Sequence, residues 1–339
     1  MLSESTVFST PLFIGSHVET LPILILNIHS RCNCRCVMCD IWKRESSEEI
    51  KAANLERHRL SLRRLRVQQV VLTGGEPLLH SDVASLCAFF HELDIKLTLL
   101  TTGLLLQKRA DVVARYFDDV IVSLDGPGAV HDQVRRITGA YLLIKEGVAA
   151  VRQLRPKLPI HGRTTVQRAN HRHLVETVAA AQELGLDSIS FLAADLTSEA
   201  FNRPLLWPIE RQAQISLDRQ EVAALEGEIE ALIGLRSPYV LESPSKLRRI
   251  ARHFRAHLEG SFEESPVCNA PWVSAVVEVD GSVRPCFFHG RFGDITSSTL
   301  EEAVNGEAAQ RFRRTLDVAQ NPTCRRCVCS LNYKTQPAS

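Results

Sequence analysis

From residue 21 to about residue 195 the chain alternates two kinds of hydrophobic pattern. Short runs rich in aliphatic and β-branched residues occur at 22–29, 69–73, 96–101, 120–124, 160–166 and 188–192. Several are apolar throughout, which suits strands of a parallel sheet covered on both faces. Between them lie segments long enough for crossover helices. In one, Tyr141, Ile144, Val148 and Val151 recur at three- and four-residue spacing; another runs from His171 to Leu184 and stops at Gly185, a natural helix C-terminal residue. Six such repeats fall short of the eight that close a barrel, so the pattern predicts an α/β fold built on a partial (β/α)6 TIM-like barrel.

The pattern changes after residue 195. Pro204, Pro208, Pro238 and Pro244 interrupt the segment 196–262, and two amphipathic helices are expected inside it. One runs from about 219 to 233. The other carries Leu247, Ile250, Phe254 and Leu258 on one face and Lys246, Arg248, Arg249, Arg252 and Arg255 mostly on the other. That basic face reads as a solvated surface, with phosphate or substrate binding as the alternative, and the basic stretch 57–66 reads the same way. From Ser265 onward, 273–279 and 283–286 flank Asp280-Gly281, the signature of a tight hairpin, and a helix over 298–316 is expected to follow. The chain therefore divides into a barrel (1–195), a helical linker region (196–262) and a small C-terminal α+β module (263–339).

Composition narrows the class. Of 339 residues, 45% are hydrophobic and 23% charged, with a formal net charge of +1. No overall field favours nucleic acid or an anionic membrane. The longest apolar run, 21–26, is far too short to span a bilayer, and Glu4 lies where a signal peptide would be basic and then apolar. The reading is a soluble, cytoplasmic protein. Ten cysteines in such a chain point to metal binding or redox chemistry rather than disulfides. Four lie within 32–39 and five within 268–329, while Cys87 sits among Leu86, Phe89 and Phe90 and reads as core.

Cys32, Cys36 and Cys39 form a Cys-x3-Cys-x2-Cys loop directly after the first strand. Three thiolates from one loop can hold three corners of a [4Fe–4S] cubane and leave one iron open. The alternative is zinc, with Cys34 or His29 as the fourth ligand. Thr73-Gly74-Gly75-Glu76-Pro77 follows the second strand; glycines let the backbone approach a ligand, and a carboxylate accepts from an ammonium group. Ser123 and Asp125 end the fourth strand, with His131, Asp132 and Arg135 beyond. Polar residues at these strand ends are where barrel catalysis is expected, and Arg163, Gln167 and Asp195 are further candidate substrate contacts. At the other end, Cys268-x12-Gly281-x4-Cys286 and Cys324-x2-Cys327 suit either a fully ligated cubane or a zinc ribbon.

With these motifs in place, residues 21–195 resemble the radical S-adenosylmethionine (SAM) superfamily. The resemblance implies that the open iron held by Cys32, Cys36 and Cys39 is chelated by SAM. It implies also that an external one-electron reductant, such as flavodoxin or ferredoxin, drives cleavage of SAM to a 5′-deoxyadenosyl radical. By the same resemblance Gly74, Gly75, Glu76 and Pro77 contact the methionine amino group, Ser123 and Asp125 contact SAM or lie beside the substrate, and Arg135 meets the SAM carboxylate. Met38 stands at a cofactor position that is usually aromatic, and Thr101-Thr102-Gly103 where Thr-Asn-Gly is common; Cys34 is a bystander. Cys268, Cys286, Cys324 and Cys327 are similar to a twitch domain, a shortened SPASM domain with one auxiliary [4Fe–4S] cluster. Cys329 is then spare: a small residue near the module's core, or a thiol that donates hydrogen to a substrate radical. Such enzymes oxidise or epimerise small molecules (sugars, aminocyclitols and other natural products) or modify peptides. The 31 residues before Cys32 are too few for a leader-binding domain and favour the small molecule. The rival class is a non-catalytic zinc or iron–sulfur protein.

Overall fold

The computed structural model describes residues 15–198, 200–203, 206–262 and 266–334. Glu4, Pro204 and the first residues of the C-terminal module lie outside that set. Six strands, β1 (Ile23–His29), β2 (Gln69–Gly74), β3 (Lys96–Thr101), β4 (Asp119–Ser123), β5 (Ile160–Val166) and β6 (Ser188–Ala193), pair in parallel in sequence order. Helices cross between them, among them Val83–His91, Ala110–Tyr116, Ala140–Leu154 and Leu174–Glu183. Alternation along the strands separates two faces. Leu24 and Leu26 of β1 meet Leu62 and Phe90 of the crossover helices, whereas Asn27, Thr73, Ser123, Arg163 and Thr165 face a cavity on the concave side. Cys87 is fully buried.

Both edges of this open barrel are covered. The hairpin expected around Asp280-Gly281 forms from β7 (Ser274–Val277) and β8 (Ser282–Arg284), with Gly281 at φ +86° in the turn, and β9 (Gly293–Asp294) extends it. The sequence pattern did not show where the hairpin goes. It joins the barrel, β7 pairing in parallel with β1 from Ile23↔Ser274 to Leu26↔Val277, so that one nine-stranded sheet runs through both modules. An uncovered β1 would present a row of unpaired N–H and C=O groups, and β7 takes them up. At the far edge, Ile189 of β6 donates its N–H to Tyr239 and accepts from Leu241 N.

The two amphipathic helices are Arg219–Gly234 and Pro244–Glu259. Pro244 opens the second helix rather than breaking the segment, since the first helical position needs no N–H donor, and Ser243 caps Lys246 N. The helix expected over 298–316 is two, Leu300–Asn305 and Glu307–Thr315. The Asn305 side chain accepts from Val18 N at 2.8 Å and donates to Val18 O at 3.0 Å, and Gly306 is extended between the two helices. No helix among the described residues is long and apolar enough to cross a membrane.

Candidate functional site

The loop that carries Cys32, Cys36 and Cys39 leaves β1 and lies across the end of β2. Gly75 N donates to His29 O and Glu76 N to Arg31 O, both at 2.8 Å. A Cβ on Gly75 would stand 1.9 Å from Arg31 O, and one on Gly74, at φ +130°, would stand 2.6 Å from His29 O. The paired glycines line the cavity, yet the close approach that demands them is to the cysteine loop itself. Glu76 departs from expectation. Its carboxylate is fully buried and turned toward the end of β3, accepting from Leu78 N, Thr101 Oγ1, Thr102 N and Thr102 Oγ1 at 2.7 to 3.0 Å. Burial raises its pKa and these donors oppose the rise. Glu76 thus ties the cysteine loop to β3, and Pro77 begins the short turn that it caps; neither lines the cavity.

Asp125 and Arg135 form a buried ion pair at 2.6 Å, and Arg135 Nη1 donates to Cys36 Sγ at 3.4 Å. Two backbone bonds, Arg35 N to Arg135 O and Val37 N to Val134 O, clamp the cysteine loop to the same helix end. Arg135 reaches the cavity wall with its guanidinium already engaged. Asp125 does not line the cavity, and its other oxygen accepts from Thr165 N at 2.9 Å, so both oxygens already hold partners within the protein. Ser123 and Met38 do line the cavity, and Met38 O accepts from Arg203 Nη2 at 2.9 Å. Cys34 is a buried free thiol beside Cys36.

Electrostatics of the thiols bear on what the loop can hold. Burial pushes the Cys32 thiol up and the Cys39 thiol up to about 12, and the Cys36 charge adds to both rises. The bond from Cys34 and the Arg135 guanidinium draw Cys36 down. Cys39 Sγ also accepts from Ile41 N at 3.4 Å. A loop that gathers three thiols, donates hydrogen bonds to two of the sulfurs and resists a bare thiolate at Cys32 and Cys39 suits an iron–sulfur cluster, because the metal supplies the missing positive charge.

The C-terminal thiols show the same character. Burial raises Cys286 to about 11, Cys324 to about 12 and Cys327 further, and in each case the Cys268 charge adds to the rise. Asn269 holds Cys268 against the tail by bonds to Leu331 O and to the Tyr333 N–H and C=O. His289 Nε2 lies 3.3 Å from Cys324 Sγ, a neighbour that sequence reading missed although it stands three residues after Cys286. The four cysteines fit a second cluster on the same argument. Among the described residues no three histidine, cysteine or acidic side chains stand as one metal ion requires, whereas the corners of a cubane are separate irons and ask for wider spacing. Cys329 is an exposed residue on a cavity wall, not part of the module's core.

One cavity of about 490 Å³ is lined by Cys39 of the first cysteine group and by Cys329, beside the second. Met38, Gly74, Gly75, Phe287, Phe288 and Val328 line it as well. Phe201 stacks on Phe287 with ring centroids 6.0 Å apart, and Arg203 pairs with Asp195 at 2.6 Å while its guanidinium covers Trp207. Of the candidate substrate contacts, Arg163 and Asp195 reach this cavity; Gln167 is buried behind it.

Comparison with known proteins agrees with this layout. Residues 26–181 match the radical SAM superfamily, and residues 268–328 match SPASM, an iron-sulfur cluster-binding domain. Pre-heme d1 synthase of Dinoroseobacter shibae is 32% identical over 171 residues, which cover 49% of this chain and 42% of the relative. The chain thus spans less than half of that protein. GTP 3′,8-cyclase of Streptomyces coelicolor is 26% identical over 320 residues, covering 86% of this chain and 84% of the relative. SuiB of Streptococcus suis, solved bound to S-adenosylmethionine, shares the fold with a TM-score of 0.65 at 15% identity, covering 93% of this chain and 74% of SuiB.

Proposed function

We propose that this chain, which carries a radical SAM domain followed by a SPASM domain and with them SAM and [4Fe–4S] clusters as cofactors, is an enzyme that oxidises a small molecule. Cys32, Cys36 and Cys39 would hold the SAM-binding cluster, and Cys268, Cys286, Cys324 and Cys327 the auxiliary one. When bound, the first cluster and SAM would supply hydrogen-atom abstraction, and the second cluster would offer an acceptor for the remaining electron as the substrate gives up a proton to solvent. The observation that carries this reading is one cavity lined both by Cys39 and by Cys329, two residues from Cys327. Its volume of about 490 Å³ would hold SAM as well as the substrate, which limits the substrate beside SAM to a small molecule or the end of a larger one.

The remaining residues hold the geometry. Arg135 keeps a positive charge against Cys36, Glu76 anchors the cysteine loop to β3, and Ser123 offers a hydroxyl beside the reacting space. Phe201, Phe287 and Phe288 form an aromatic cluster in the cavity lining. A ferredoxin- or flavodoxin-type protein is the proposed reductant.

The test is a screen of sugars, aminocyclitols and short peptides for compounds that stimulate 5′-deoxyadenosine formation by the anaerobically reconstituted protein. With the responding compound, Cys324→Ala is expected to keep SAM cleavage and to lose the oxidised product. Full turnover in that variant contradicts oxidation through the auxiliary site and favours epimerisation with Cys329 as hydrogen donor. Turnover of peptides and of no small molecule contradicts the substrate assignment.

A further inference from the structure

A second cavity, of about 170 Å³, opens between β6 and the helix Pro244–Glu259. It shares Arg163, Leu192, Ala193, Val328 and Cys329 with the central cavity, so the two adjoin across that wall. The basic face of the helix, read from sequence as a solvated surface, divides here. Arg248 and Arg255 turn outward to Glu230 and Glu226, whereas Lys246 and Arg249 line the side chamber.

Charge in the chamber is unbalanced. Arg163 of β5 lies in register with Ser123 on one side and Ser190 on the other, and its Nε donates to Ser190 Oγ at 3.2 Å. Among the described residues no carboxylate lies within ion-pair distance of its guanidinium. Arg249 donates to the Cys327 carbonyl and makes no ion pair with a carboxylate among the described residues. The one acid in the wall, Glu242, accepts from Phe191 N at 3.0 Å; burial raises its pKa, while that bond and the charges of Arg163 and Lys246 oppose the rise. Three cations thus face one small cavity with a single acid among them, and an oxyanion placed there would accept charge-assisted hydrogen bonds from them.

We propose that this side chamber receives an anionic, oxygen-bearing group of the substrate, a carboxylate or a phosphate, gripped by Arg163 at the shared wall and by Lys246 and Arg249 behind it. The rest of the substrate then projects into the central cavity, past Cys329. The planar guanidinium suits two-point contact with such a group, which makes Arg163 the specificity-determining residue. The assignment rests on reading the central cavity as the catalytic one.

The test is titration calorimetry of the reconstituted, SAM-bound protein with inorganic phosphate and, separately, with acetate in chloride buffer. Saturable binding at one site is expected, weakened at least about tenfold by Arg163→Gln and about threefold by Lys246→Gln, and unchanged by Arg248→Gln on the outer face. Tighter binding of phosphate assigns a phosphoryl group, and tighter binding of acetate a carboxylate. No saturable binding in the wild type, or wild-type binding by Arg163→Gln with its iron content intact, overturns the proposal. Should Arg163→Gln lose iron, the exposed Lys246→Gln decides, and unchanged binding there overturns it equally. 5′-Deoxyadenosine formation by the same samples keeps the two readings apart. Its absence contradicts the catalytic assignment, while intact SAM cleavage without anion binding contradicts the chamber alone.

Discussion

A methyl group on Gly75 would stand 1.9 Å from the Arg31 carbonyl oxygen, a backbone atom that cannot move without taking the cysteine loop with it. Gly75→Ala is therefore expected to displace the loop or destabilise the protein by about 2–3 kcal/mol. Iron analysis should show the loss of about four irons per chain, those of one cubane, with the C-terminal cluster retained. Full iron content and undiminished SAM cleavage would contradict the packing argument. At this scale the cysteines and glycines were legible because their chemistry depends on spacing within a few residues. The partners of Glu76 were not. Thr101 and Thr102 come to it from another strand, and only the β2–β3 pairing brings them there. The pairing of Asp125 with Arg135 was equally hidden, for a motif names residues at a strand end without saying which of them face each other.

The strands and crossover helices were legible because burial on two faces, or on one stripe, imposes a period on the sequence. What escaped were features set by distant contacts. The break between Leu300–Asn305 and Glu307–Thr315 is one. Asn305 satisfies the N–H and C=O of Val18, 287 residues away, and no local periodicity records that. Asn305→Ala should lower stability by about 1–3 kcal/mol, since two hydrogen bonds are lost and two backbone groups are left without partners. Urea unfolding measures it, and an unchanged midpoint would show that the contact does not hold the junction. The docking of β7 on β1 is the other. All four residues of β7 are buried, a pattern equally compatible with an isolated hairpin packed on a helix.

Across the whole molecule, that docking brings Cys39 of the first cysteine group and Cys329, beside the second, to one cavity. Cysteine spacing suggested two metal sites, but sequence distance could not show that residues near 39 and residues near 329 face the same space. The continuous nine-stranded sheet supplies the connection, since β1 carries the first cysteine loop on one side and hydrogen-bonds to β7 of the second module on the other. The aromatic cluster of Phe201, Phe287 and Phe288, drawn from the linker and the C-terminal module, belongs to the same scale.

The central claim is that the chain holds two cubane clusters and that the first of them cleaves SAM. Iron and sulfide content after anaerobic reconstitution, with 5′-deoxyadenosine formation under reductant, tests it most directly when the wild type is set beside the Cys32→Ala, Cys36→Ala, Cys39→Ala triple variant. The account predicts about eight irons per chain in the wild type, about four in the variant, and SAM cleavage in the wild type only. About four irons in the wild type, or zinc in the C-terminal site, would contradict it.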